Sequence, residues 1–130
     1  MSYRIAASAI AFALLLAAPA VAEDEEKTLV AKSGETIDVM PVYGARRCRS
    51  TIVATPEVEV LQGPSELKLS VREEMVTPTN CRDKVKGGMV VATIGQVKQQ
   101  IDGKLTFRVK YKTKDGTIHR GQVFKVSLLP

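Results

Sequence analysis

The chain has no tryptophan, one histidine, two cysteines, and three each of phenylalanine and tyrosine. One histidine and two cysteines cannot assemble a zinc site. No Gly-x-Ser-x-Gly or comparable nucleophile motif accompanies the histidine. Gly87-Gly88 has no Gly-Lys-Ser/Thr behind it, so it reads as a turn and not as a phosphate-binding loop. The few aromatics do not interleave with the arginines, which removes the stacking platforms that single-stranded nucleic acid uses. There is no internal repeat, no low-complexity tract and no convincing helical periodicity after the first segment. Without a catalytic constellation the chain reads as a non-enzyme with no cofactor.

Long apolar runs are also missing. A transmembrane helix needs about 20 uninterrupted apolar residues, more than Ile5 to Ala18 offers. That stretch has the parts of a secretory signal peptide. Arg4 is the positive start, and Pro19 breaks a helix before the small-x-small site Ala20-Val21-Ala22. Cleavage after residue 22 leaves 108 residues and lowers the formal charge from +5 to +4. Glu23 to Glu26, with Lys27, reads as a flexible acidic start, and residues 28–130 as one domain. The expected location is periplasmic or secreted, with no membrane span in the mature protein. The oligomeric state stays open.

Export places Cys48 and Cys81 in an oxidising compartment, so the pair is expected to form a disulfide. A redox site is disfavoured, because thirty-two residues separate the two thiols where Cys-x-x-Cys needs two. Both cysteines fall in loop-like sequence, which makes the bridge a staple between loops.

The body of the chain alternates like strands. Thr28 to Ala31, Thr36 to Val42, Thr51 to Val53 and Val58 to Leu61 are short β-prone runs. Leu67, Leu69 and Val71 alternate with polar residues, and Met89 to Ile94 suits a strand buried on both sides. Tyr43 to Ser50, Thr77 to Asn80 and Ile101-Asp102-Gly103 read as loops or turns. Leu105, Phe107, Val109 and Tyr111 share one face of the last hairpin. A type I′ turn centred on Asp115-Gly116 would pair Phe107 with Phe124 and Leu105 with Val126. Seven to nine short strands in about a hundred residues favour an Ig-like antiparallel β-sandwich with one disulfide.

Two stretches carry a resemblance. Pro56 to Pro64 (PEVEVLQGP) is similar to a strand and turn of bacterial Ig-like and cadherin-like envelope domains. Phe107-x-Val109-x-Tyr111, Lys114-Asp115-Gly116 and Phe124-x-Val126 resemble their final hairpin. The chain lacks the acidic calcium ligands of cadherin linkers and the tryptophan that packs on the disulfide of antibody domains. The resemblance implies a sandwich fold and an envelope location, and it supplies no site.

Individual polar residues add little chemistry. His119 should face solvent opposite Lys112 among cations. Glu73 and Glu74 are strand neighbours pointing to opposite faces. Met40, Met75 and Met89 are scattered, as packing residues are.

The constellation with content is electrostatic. Arg46, Arg47 and Arg49 surround Cys48, while Arg82, Lys84 and Lys86 follow Cys81, opposed locally only by Asp83. A disulfide would gather these six cations, and guanidinium forks suit phosphate, carboxylate or sulfate. Arg108, Lys110 and Lys112 form a second basic row. The expected function is an envelope interaction module binding a protein or an anionic surface polymer. The alternative is an inhibitor or accessory subunit of a secreted enzyme, acting through loop 43–50.

Overall fold

The computed structural model describes residues 27–130, so the signal-peptide reading of 1–22 and the acidic residues 23–26 lie outside the described residues. The described chain is all-β, with nine strands in three sheets. They are β1 (Lys27–Lys32), β2 (Thr36–Val42), β3 (Ala45–Arg46), β4 (Arg49–Ser50), β5 (Glu57–Gln62), β6 (Leu67–Val76), β7 (Val85–Ile94), β8 (Ile101–Thr113) and β9 (Gly116–Leu129). One sheet has the order β1-β9-β8-β5 and a second β2-β7-β6, while β3 and β4 make a small ribbon.

The pairing is not wholly antiparallel. β1 runs parallel to β9, with Leu29 beside Val126 and Ala31 beside Leu128. Apolar alternation specifies which face of β1 is buried. It says nothing about direction, which the tertiary path decides.

One apolar cluster draws on both larger sheets. Val90, Ala92 and Ile94 of β7 meet Leu105, Phe107 and Val109 of β8 and Phe124, Val126 and Leu128 of β9. The apolar run of β7 is explained by its central place. Val91, on the opposite side from that cluster, is buried as well. Arg72 on β6 reaches over β7 to Asp38 on β2 at 3.2 Å and also meets Glu74. Hydrogen bonds to those two carboxylates hold its guanidinium even more firmly charged than usual.

Several local expectations need correction. The last hairpin turns on Lys114-Asp115, with Thr113 opposite Gly116. Its positive φ, 130°, falls on Gly116 alone. The Thr113 hydroxyl donates to the Gly116 carbonyl at 2.8 Å and accepts from the Asp115 amide at 3.2 Å. This side-chain bracket favours Thr113 as the closing residue. The register therefore moves by two residues: Phe107 faces Gln122, Leu105 faces Phe124 and Gly103 faces Val126. An even shift keeps every side chain on its expected face. Phe107 and Phe124 still stack diagonally, with centroids 5.7 Å apart. His119 is exposed, but it stands opposite Lys110 and not Lys112.

Ile101-Asp102-Gly103 is not a turn; it opens β8, because β9 is long enough to pair with it. Ser127, opposite Asp102, donates to its carboxylate at 2.7 Å. Thr51 to Val53 is not a strand, since only Ile52 makes a bridge, to Thr113. Loop 43–50 contains the β3–β4 hairpin.

Gly87-Gly88 is not a turn either, and both glycines lie inside β7. Close packing explains their type. A Cβ on Gly87 would stand 2.5 Å from the Val42 carbonyl oxygen, and one on Gly88 2.5 Å from Val71 Cγ1. Gly87→Ala should therefore cost about 1–3 kcal/mol, since a backbone atom must give way. Gly103→Ala meets nothing within 4 Å and should be neutral or slightly stabilising. Urea unfolding of the two variants tests this, and equal midpoints would refute the close approach.

Candidate functional site

The Cys48–Cys81 disulfide joins the two loops that carry the first group of sequence-predicted cations. Arg46 pairs with Arg49 across a two-residue turn made of Arg47 and Cys48. Both turn residues have positive φ, 54° and 62°. A tight hairpin whose twist matches its strands needs that conformation, which asparagine and glycine adopt more readily than arginine or cysteine. Such a conformation persists only where surrounding structure holds it. Here the Cys48–Cys81 bond does so, with the two Cα atoms 5.6 Å apart. The residue before Cys81, Asn80, is also left-handed at φ 64°.

A second tie joins the same two loops. Tyr43, just before the hairpin, accepts a hydrogen bond from the Thr79 amide at 3.3 Å. Its hydroxyl also lies 3.5 Å from the Thr79 hydroxyl. These bonds, the hydroxyl's first and then the amide's, hold the phenol below its ordinary pKa. Thr51 closes the base of the hairpin through its amide to the Gly44 carbonyl, 2.9 Å away. Sequence reading missed the Tyr43–Thr79 tie. Neither residue stands in a motif, and they come within reach because β2 and β6, which lead into them, both pair with β7.

The six sequence-predicted cations are distributed unevenly. Arg46, Arg47 and Arg49 line a shallow hollow of their own. Arg82 is carried next to the hairpin by its bonded neighbour Cys81. Lys84 precedes β7 and is exposed. Lys86, within β7, lines a separate groove with Ser50, Val53, Thr55 and Glu73. In that groove the Thr55 hydroxyl donates to Glu73 at 2.9 Å. Among the described residues, none of the six reaches a carboxylate at ion-pair distance.

The second basic row is different. Arg108 meets Glu59 at 2.7 Å, and Lys110 and Lys112 stand 3.9 and 3.8 Å from the Glu57 carboxylate. The β5–β8 register dictates this, since it sets Glu57 opposite Lys110 and Glu59 opposite Arg108. Exposed pairs of this kind add little stability. They do cancel most of the local field that the lysine and arginine spacing alone would suggest.

Apolar side chains also surface beside the hairpin. Val53 is 59% and Ile118 45% exposed. No protein-family model matches the chain, and no curated protein matches it.

Proposed function

We propose that the chain is a non-catalytic interaction module of the bacterial envelope, exported to an oxidising compartment, that binds an anionic surface polymer through the β3–β4 hairpin. The observation that carries this reading is the contrast between its two basic surfaces. Three arginines stand on a hairpin pinned by a disulfide and meet no carboxylate at ion-pair distance among the described residues, whereas Glu57 and Glu59 offset two of the three charges in the row on β8. A rigid presentation lowers the entropy lost when guanidinium groups engage phosphate, sulfate or carboxylate. An Ig-like sandwich is the fold this reading assumes. It is supported by the core shared between two sheets and by the closure of the first strand on the last.

Replacing Arg46, Arg47 and Arg49 together with serine should reduce affinity for an anionic polymer such as polyphosphate by at least about tenfold at low salt. The triple variant Arg108→Ser, Lys110→Ser, Lys112→Ser should change it less than about threefold, because Glu57 and Glu59 already offset two of the three charges. Titration at two ionic strengths reads both effects. Equal losses from the two variants would reduce the attraction to net charge and remove the hairpin as a site. The pinned hairpin also suits a second reading, an inhibitor or accessory subunit that inserts this loop into a secreted enzyme. Salt-tolerant loss of a target enzyme's activity would favour that reading.

A further inference from the structure

The β8–β9 hairpin is longer than the sheet it packs against. Towards its tip, the face that forms the core lower down carries Tyr111 and Thr113 on β8 and Ile118 and Arg120 on β9. There the buried residues of the strands give way to exposed ones. The segment between β2 and β5 crosses this overhang, tied by the Ile52–Thr113 bridge and by the Val53 amide to the Lys112 carbonyl at 2.8 Å. A trough of about 360 Å³ results, floored by Tyr111, Thr113, Ile118 and Arg120 and walled by Tyr43 and Ile52 among others. Its size falls within the roughly 300–1,000 Å³ of small-molecule sites. Through Ile52, Thr113 and Ile118 it runs into a neighbouring hollow that also takes in Arg46 and Lys114, with Asp115 as its one acid.

From this geometry we infer that the trough is a sugar subsite, which seats one ring of an anionic glycan whose charged groups extend onto the arginine hairpin. The inference rests on the proposed polymer-binding function and names its ligand class. Three features carry it. Half-buried Tyr111 and exposed Ile118 offer an apolar floor to the C–H face of a pyranose, and an exposed apolar side chain in a concave site gains by being covered. Hydroxyls of Thr51 and Tyr111 supply donors and acceptors around that floor, while those of Thr113 and Tyr43 are engaged with the hairpin turn and with Thr79. Arg120 lines the trough and Arg46 the adjoining hollow, which offers guanidinium groups to carboxylate or sulfate. Tyr111 stays a neutral phenol: burial raises its pKa, the nearby Tyr43 adds to the rise, and Arg120 opposes it only in part. The β8 edge beside the trough is already taken by β5 and then by Ile52 and Val53, which leaves an extended peptide no backbone ladder to join on that side.

The absence of tryptophan makes the test direct, because in the exported protein, without residues 1–22, Tyr43 and Tyr111 supply the intrinsic emission. The purified protein is titrated with an oligogalacturonate, with polyphosphate and with an oligoglutamate. Oligogalacturonate should change tyrosine emission and polyphosphate should not. Tyr111→Leu keeps apolar bulk but loses the flat ring, and Arg120→Gln removes the charge. Each should weaken oligogalacturonate binding about five- to tenfold while leaving polyphosphate affinity unchanged. If both polymers bind, and neither substitution affects either, the trough is not a sugar site and the arginine hairpin stands alone. Oligogalacturonate binding that needs Tyr111 but not Arg46, Arg47 and Arg49 would keep the trough and overturn the hairpin reading. Tighter binding of oligoglutamate at Tyr111 would overturn the sugar assignment, and no binding by any probe would overturn both.

Discussion

Phe107→Ala is expected to remove about 3–5 kcal/mol of stability, the usual cost of deleting a fully buried aromatic side chain. Phe107 has no exposed surface and sits among core residues of β7, β8 and β9. Its ring stacks on Phe124 at an interplanar angle of 25°, so truncation removes an aromatic pair as well as buried area. Small domains have about 5–15 kcal/mol in total, so a loss of this size takes up much of the margin. Lys110→Ala is the control. Its ammonium is exposed and touches Glu57 only at 3.9 Å, so the loss should stay within about 0.5 kcal/mol. Urea unfolding of both variants at one temperature decides the matter. Similar, small losses would mean that Phe107 is not a core residue.

The second large effect concerns the disulfide. Cys48 and Cys81 are 33 positions apart, and closing a loop of that span stabilises by about 3–4 kcal/mol in the chain-entropy account. Cys48→Ser with Cys81→Ser should forfeit that amount, less whatever is regained when Arg47 and residue 48 leave their left-handed conformation. The loss should have a local signature. The Thr51 amide, which closes the hairpin base, should exchange with solvent much faster in the double variant. Amides of β7, held between β2 and β6, should slow or quicken only with global stability. A loss under about 1 kcal/mol, with Thr51 exchange unchanged, would show that the Tyr43–Thr79 tie holds the two loops without the bridge.

What composition and alternation determined here is the class of structure. The polar/apolar period along Leu105 to Tyr111 set which face of β8 is buried, and it survived a two-residue error in register, because any even shift preserves the face. The cysteine pairing was legible from the even count and the export-like first segment, and Thr36–Val42 could be bounded as a strand to the residue.

Features that depend on a distant partner could not be read along the chain. The direction of β1 depends on β9, ninety and more residues away. Gly87-Gly88 looks like a turn until the Val42 carbonyl and Val71 are seen to crowd it. The turn at Lys114-Asp115 is favoured by the two hydrogen bonds of the Thr113 hydroxyl, where the sequence pointed to Asp115-Gly116. The candidate site divides in the same way. Arginines beside a cysteine are visible as spacing, but the β5–β8 register decided that Glu57 and Glu59 face one row, while among the described residues none of the other six cations reaches a carboxylate at ion-pair distance. The trough was invisible, because it exists only where a long hairpin outruns the sheet beneath it. Local pattern encodes burial, a property of each side chain, whereas charge pairing and concavity are properties of segments brought together by the fold.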